Sequence, residues 1–183
     1  MRPLQLRGGL VLAKRALMLA SALLFAIGPA AHAPTGAFPR AAGNDAVPEK
    51  TNKAIVQAAF EKWRAGGDVF AELLAPDIVW TIHGSGPVAG TYRGLEDFTR
   101  RASAPLVSRL AGPIIPEVRS IWADGDVVIV RFDGSATTTS GAPYRNQFVW
   151  ILRMKAGRAV EAEAFLDLAA YQRVIENNRP RAQ

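Results

Sequence analysis

The chain has no cysteine in its 183 residues. That excludes disulfides, thiolate chemistry and cysteine-ligated zinc, and it excludes a lipid anchor built on a cysteine. Histidine is nearly as scarce, with two copies, His32 and His83. A histidine-rich metal site is therefore not expected. No run of apolar residues reaches the roughly 20 needed for a membrane-spanning helix; the stretch "ALMLASALLFAIG" at 16–28 is thirteen residues long. No P-loop, no GxGxxG after a strand and no Ser-His-Asp order is present, and neither a nucleic-acid-binding motif nor a cofactor signature is found.

Acid is absent from the first 33 residues, which carry Arg2, Arg7, Lys14 and Arg15. A basic start, a short apolar run and the small-residue exit Ala31-His32-Ala33 are the three parts of a secretory signal peptide. Pro34 just after the exit is unfavourable for cleavage there, and an uncleaved anchor or a misplaced start is the competing reading. Export predicts a periplasmic or secreted protein with no membrane attachment after cleavage. The segment also inflates the charge. The whole chain is +6, with 22 basic and 16 acidic residues, but without residues 1–33 it is 18 against 16, or +2. The basic balance is therefore poor evidence for a nucleic-acid partner, and none is expected. About 150 residues remain, enough for one core.

What is present is a change of rhythm along the chain. Residues 34–47, "PTGAFPRAAGNDAV", lack any period and read as a linker. A cone domain is expected over 48–178, with a frayed tail at 179–183. Ile55, Ala58, Ala59 and Trp63 recur at helical spacing after Pro48 and Thr51, and Gly66-Gly67 end that helix. Asp68 is placed to cap a second helix, "VFAELLA", ended by Pro76. "DIVWTI" reads as a strand and "TIHGSGPVAGTYRG" begins a glycine-rich loop. A third helix starts near Gly94 and breaks at Gly112-Pro113. Beyond it the period becomes two. "IIPEVRSIWA", "VVIVRFDGSATTT", "YRNQFVWILRM" and "AVEAEAFLDL" are strands joined by short glycine-containing turns, an antiparallel meander. A closing helix, "AAYQRVIENN", follows. Helices first and hairpins later predict an α+β architecture, a curved antiparallel sheet packed on three N-terminal helices and shaped as a cone with a pocket inside.

Several stretches, "FEKWRAGGDVFAELLAPDIVWTIHG", "GPVAGTYRGLEDF" and "YRNQFVWILRMKAGRAVEAEAFLDL", together with their spacing, resemble the nuclear transport factor 2-like superfamily. Within it they resemble the SnoaL-like and ketosteroid-isomerase-related branch, over about residues 51–175. The resemblance implies the cone-shaped barrel. It leaves the reaction open, because the superfamily holds isomerases, cyclases, hydrolases and pure binding modules. Laid on this chain without gaps, the ketosteroid isomerase base falls at or beside Thr81, its tyrosine at Phe60 and its oxyanion aspartate near Val149. None of the three is kept, so steroid isomerisation by that route is not expected. The arrangement of limonene-type epoxide hydrolases has no complete counterpart either, since Arg131 and Asp133 share one strand with no partner placed opposite.

His83 is the candidate base, because imidazole exchanges protons near neutral pH; the competing reading is a loop histidine that caps a turn. Asp167 is the second catalytic candidate, with capping of the final helix or pairing with an arginine as alternatives. Glu161 and Glu163 alternate on the same strand, on a face that the pattern does not assign. Asn146 shares a face with Phe148, Trp150 and Leu152 and either orients a ligand or holds a turn. Trp80, Tyr92, Phe98 and Trp150 are expected to line the cone, as ligand wall or as core.

The expected partner is a small apolar molecule in the pocket, with no cofactor. Cofactor-free acid–base chemistry of isomerase, cyclase or hydrolase type is one outcome, and a non-catalytic binding or dimerisation module is the other. A homodimer through the sheet is expected too. "VVIVRF" and "FVWILRM" are apolar at consecutive positions, so both faces of the sheet call for cover. Either Val128, Val130 and Phe132 or the opposite set Val127, Ile129 and Arg131 would lie outward.

Overall fold

The computed structural model describes residues 49–182. The signal-peptide reading of residues 1–33 and the linker reading of 34–47 lie outside the described residues. Helix α1 spans Glu49–Arg64 and α2 spans Val69–Leu73. Asp68 caps α2 as its spacing predicts, its Oδ1 accepting from the amides of Phe70 (2.9 Å) and Ala71 (3.2 Å). The helix ends earlier than "VFAELLA" suggests. Leu74 already has extended backbone, and strand β1 runs Leu74–Ile82 with Pro76 inside it. Proline is tolerated there because pairing with the neighbouring strand lapses between Leu74 and Val79, so no ladder hydrogen bond is lost.

The loop after β1 hides a strand. β2, Gly90–Arg93, pairs antiparallel with β1, Tyr92 opposite Trp80. Its β-forming core, "TYR", is short and flanked by glycines, which masked it in the sequence. Gly94, at φ 88°, turns the chain into α3, Leu95–Phe98. A π turn, Thr99–Ser103, and α4, Ala104–Val107, continue the same helical run. Pro105 follows the π turn and has no amide to offer the preceding turn.

The meander then follows: β3 (Ile115–Asp124), β4 (Val127–Thr137), β5 (Pro143–Lys155) and β6 (Arg158–Leu166), before α5 (Leu168–Asn177). The strand order is β2-β1-β6-β5-β4-β3. The expected all-antiparallel sheet is corrected at one place: β1 pairs with β6 in parallel, so the sheet is mixed. The reason lies in the connection. α3, α4 and four strands separate β1 from β6, and the long route lets the chain return in the same direction. The C-terminal residues are tied down rather than frayed. Arg109 Nε donates to the Asn178 carbonyl (3.0 Å), Thr139 Oγ1 to that of Arg179 (2.8 Å), and the Arg181 amide to that of Ser108 (2.7 Å).

The core lies between the helices and one face of the sheet. Val128, Val130 and Phe132 of β4 and Leu152 of β5 are fully buried there, beside the buried Phe148 and Trp150 of β5. The alternative outward set is the one that faces away: Val127, Ile129 and Arg131 are only partly buried.

Candidate functional site

A cavity of about 420 Å³ opens between the inner face of the sheet, α2 and the α3–α4 run. That size suits a small organic ligand. Its walls are aromatic: Trp63, Phe70, Trp80, Phe98, Phe148 and Trp150 all contribute. Trp80 and Phe98 stack at 4.3 Å, and Trp150 meets Trp80 edge to face at 5.0 Å. Ala162 and Ala164 are the small residues that β6 turns inward, and Ala164 forms part of the floor. A large side chain at that position would close the space. The exposed lining residues, among them Asp68, Thr99, Val107 and Pro113, mark the opening to solvent.

The cavity has few polar groups, and most are occupied. Asp68 is committed to capping α2. The hydroxyl of Tyr171 donates to the Ala102 carbonyl in the π turn (2.9 Å), and burial pushes its phenol up to about 12. Among the buried polar side-chain atoms of the lining, Trp80 is the exception. It is 1% exposed, and its indole nitrogen, a hydrogen-bond donor, has no hydrogen-bond partner.

The structure separates the candidate residues read from the sequence. Trp80, Phe98 and Trp150 line the cavity. Tyr92 is buried beside it in the core, its hydroxyl donating to the Val88 carbonyl (2.7 Å). Burial raises its pKa. Asn146 uses its whole hydrogen-bonding capacity on the protein. Its amide nitrogen donates to the Tyr144 hydroxyl and the Asp167 carbonyl, both at 3.0 Å. Its oxygen accepts from the amides of Asp167 (2.9 Å) and Gln147 (2.8 Å). It staples β5 to the junction of β6 and α5. Asp167 caps α5 by accepting from the Ala170 amide (2.9 Å).

His83 lies on the other face of the sheet. Its Nε2 is 2.7 Å from Glu163 Oε2, and its ring stacks on Phe165 at 4.6 Å. Glu161 shares that outer face and holds Arg153 Nε at 3.0 Å. His83 and Asp167, the paired catalytic candidates, are thus bound to different partners, and neither lines the aromatic cavity. Arg131 and Asp133 pair with each other on the outer face, where Asp133 also accepts from Arg119 Nε (2.8 Å). The hydrogen bond from Arg119 is the main cause of the lowered carboxyl pKa of Asp133. These charges border a second, open groove of about 920 Å³ that Arg145, Val149, Phe165 and Asp167 complete.

Phe70, Phe148, Leu106 and Tyr171 also line the cavity. None was singled out from the sequence as a site residue. Phe70 and Leu106 lie on the inward face of their helical runs, a signal that marks core and cavity wall alike. Tyr171 had no distinguishing signal. Among the described residues no cluster of three or more His, Asp or Glu could hold a metal.

Comparison with known proteins fits this architecture. No curated protein matches the chain. Among solved structures, Bal32a from a soil-derived mobile gene cassette superposes with a TM-score of 0.57 at 18% identity, over 69% of this chain and 97% of that one. A nuclear transport factor 2-like protein from Burkholderia thailandensis gives 0.54 at 25% identity, over 70% and 98%. A SnoaL-like candidate polyketide cyclase from Jannaschia gives 0.55 at 20% identity, over 75% and 100%. The fold is therefore the nuclear transport factor 2-like cone. The profile of the SnoaL-like domain matches residues 56–162, more than half of the sequence, and the chain belongs to the SnoaL-like family.

Proposed function

We propose that this protein holds a small, flat, apolar molecule in its aromatic cavity and acts as a binding module rather than as an acid–base catalyst. The observation that carries the reading is the lining: seven aromatic rings, and no histidine or uncommitted carboxylate among the lining residues. General acid–base catalysis needs a titratable group within hydrogen-bond reach of the reacting atom. The cavity offers Tyr171, whose phenol is raised to about 12 and already donates to Ala102. His83 and Asp167 would act as structural groups, joining strands and capping α5.

Titration of the full chain with the neutral fluorophore N-phenyl-1-naphthylamine tests this. Saturable one-to-one binding with enhanced emission is expected, and Ala164→Phe, which fills the floor, should weaken it at least tenfold. Failure of the probe to saturate, or no effect of Ala164→Phe, would sink the reading. Turnover of a carbonyl substrate that disappears on His83→Ala would restore the catalytic alternative.

The export reading of the first 33 residues supports action outside the cytoplasm. A reporter fused to residues 1–40 should leave the cytoplasm, and its retention would defeat that proposal.

A specific observation also favours a homodimer through the outer face of the sheet. Trp122 is 54% exposed and Phe165 42%. Between them β4 and β5 place Ile129, Ile151 and Val149, with Trp122 opposite Ile129 and Phe165 opposite Val149. An apolar band of this kind, rimmed by ion pairs, is the composition of a buried interface. Two-fold pairing would cover it on both copies. A single monomeric species at high micromolar concentration in sedimentation would rule the dimer out.

A further inference from the structure

We infer that His83 makes the pairing of two copies pH-dependent: a proton on its imidazole neutralises Glu163 at the interface, so the dimer tightens on acidification. The inference rests on the dimer reading above and adds its regulation. Parallel pairing of β1 with β6 sets the geometry. Thr81 stands opposite Glu163, and just beyond the end of β1 the His83 amide donates to the Ala164 carbonyl (3.0 Å). The imidazole lies flat on Phe165, with ring centroids 4.6 Å apart and planes 8° from parallel, and its Nε2 is 2.7 Å from Glu163 Oε2. Phe165 belongs to the exposed apolar band. The side chains of His83 and Glu163 are 40% and 25% exposed. Both therefore keep water in a single chain and lose it when a second copy covers the band.

Glu161, the other glutamate of β6, is matched by Arg153, and Asp133 by Arg119 and Arg131. Glu163 is matched by a histidine, and among the described residues no lysine or arginine is bonded to it. The neighbouring elements bring it no other charge. β5 sets Ile151 opposite Glu163, and the hydroxyl of Thr81 on β1 is engaged with that of Thr91 on β2 (3.0 Å). Arg93 of β2 stands opposite Val79, which pairs with Glu161 rather than Glu163. Asp167 caps α5 and lies 3.9 Å from Arg173. With a neutral imidazole, Nε2–H donates to the carboxylate and the pair carries one negative charge; a proton on Nδ1 cancels it. A partner copy that strips water from the pair meets an uncompensated carboxylate in the first case and an ion pair in the second, and the uncompensated charge costs more. The imidazolium also gains from lying on the face of Phe165. Dimer formation therefore takes up protons. The added stability is fully present on the acid side of the imidazole range and is lost as the pH rises through it. Two-fold pairing brings one such site from each copy, so the effect enters twice.

Sedimentation equilibrium of the full chain at constant ionic strength tests this. The dimer dissociation constant should be roughly tenfold lower at about pH 5.5 than at about pH 8. His83→Gln keeps an N–H for Glu163 but cannot take up the proton, so its dissociation constant should be the same at both. Glu163→Gln should reverse the sign, because acid then places an unpaired imidazolium at the interface. Circular dichroism checks that both variants fold, and if His83→Gln does not, the sign in Glu163→Gln decides. A wild-type dissociation constant that is equal at the two pH values would overturn the pH dependence and leave the dimer standing. Undiminished pH dependence in His83→Gln, or the wild-type sign in Glu163→Gln, would assign it to other groups and overturn the role of this pair. A chain that stays monomeric at both pH values would overturn the dimer and its regulation together.

Discussion

The two faces of one sheet divide the chemistry of this protein between them. Along β4, Val128, Val130 and Phe132 are fully buried, while Val127, Ile129, Arg131 and Asp133 on the opposite side remain partly open. Along β6 the inner positions are Ala162 and Ala164, and the outer ones are Glu161, Glu163 and Phe165. The inner face is aromatic and nearly without titratable groups. The outer face carries the ion pairs Arg153–Glu161 and Arg119–Asp133 and the His83–Glu163 hydrogen bond around an apolar band. Residues that look catalytic on chemical grounds are therefore on the side away from the cavity. Chemical type alone does not locate a site in a curved sheet. The parity of a position along its strand does.

The sharpest way to break this comparison is to place the same charge on each face. Val130→Asp buries an unpaired carboxylate in the core and should cost more than about 4 kcal/mol, enough to prevent folding. Ile129→Asp, one residue away, should leave a folded chain that binds the apolar probe as wild type does, but runs as a monomer in sedimentation. Circular dichroism and probe titration separate the two. A soluble, folded Val130→Asp protein would mean that the inner face is not the core.

Much of this division was legible in the sequence. The meander, the α2 cap at Asp68 and the aromatic wall of Trp80, Phe98 and Trp150 follow from period-two and helical spacing. Three things were not. β2 was hidden by its glycines. The parallel pairing of β1 with β6 depends on a connection of more than seventy residues that no local pattern encodes. The side taken by His83 depends on where β1 starts, because a shift of one residue exchanges the faces. An ungapped transfer of the isomerase base to Thr81 and the oxyanion group to Val149 met the same difficulty. Both positions lie on the outer face, while Trp80, Ile82 and Trp150 beside them point inward.

A smaller effect tests how the inner face is shaped. A Cβ added at Gly134 would lie 2.8 Å from the Phe148 ring and 3.0 Å from the Ile114 side chain, and both residues line the cavity. Phe148 also stacks on Phe132 at 4.7 Å, so its ring has little freedom to move away. Gly134→Ala should cost about 1–3 kcal/mol by overpacking and should weaken probe binding as Phe148 shifts. Denaturant midpoints and probe titration measure the two consequences separately. Loss of stability without loss of affinity would mean that Phe148 gives way outside the cavity.

Alkaline pH probes the polar groups that the inner side does contain. Burial raises the phenols of Tyr144 and Tyr171 to about 12 from their usual 10.0. The folded state therefore holds their protons more tightly than the unfolded state. The stability they contribute is fully present below pH 10 and is lost as the pH rises towards 12. Melting temperature should fall through that window, and the double variant Tyr144→Phe, Tyr171→Phe should flatten the fall. An unchanged alkaline profile in the double variant would assign the loss to other groups.

The mildest expected effect concerns the turn that joins β5 to β6, beyond which a register shift between Arg153 and Met154 sets the face on which Glu161 and Glu163 emerge. Ala156 and Gly157 both have positive φ, 49° and 78°, the pattern of a two-residue hairpin turn of type I′. Glycine accepts that conformation freely, whereas Ala156 adopts it at a cost, because its Cβ crowds the following carbonyl oxygen. Asparagine tolerates the left-handed region far better, and Asn-Gly is the preferred pair in such turns. Ala156 is exposed, so the substitution removes no packing. Ala156→Asn should therefore stabilise the protein by about 0.5–1 kcal/mol, a rise of a few degrees in melting temperature for a domain of this size. Hydrogen exchange should slow at the amides of β5 and β6 nearest the turn, while probe binding in the cavity stays as in wild type. A destabilised Ala156→Asn variant would show that the turn is not of this type.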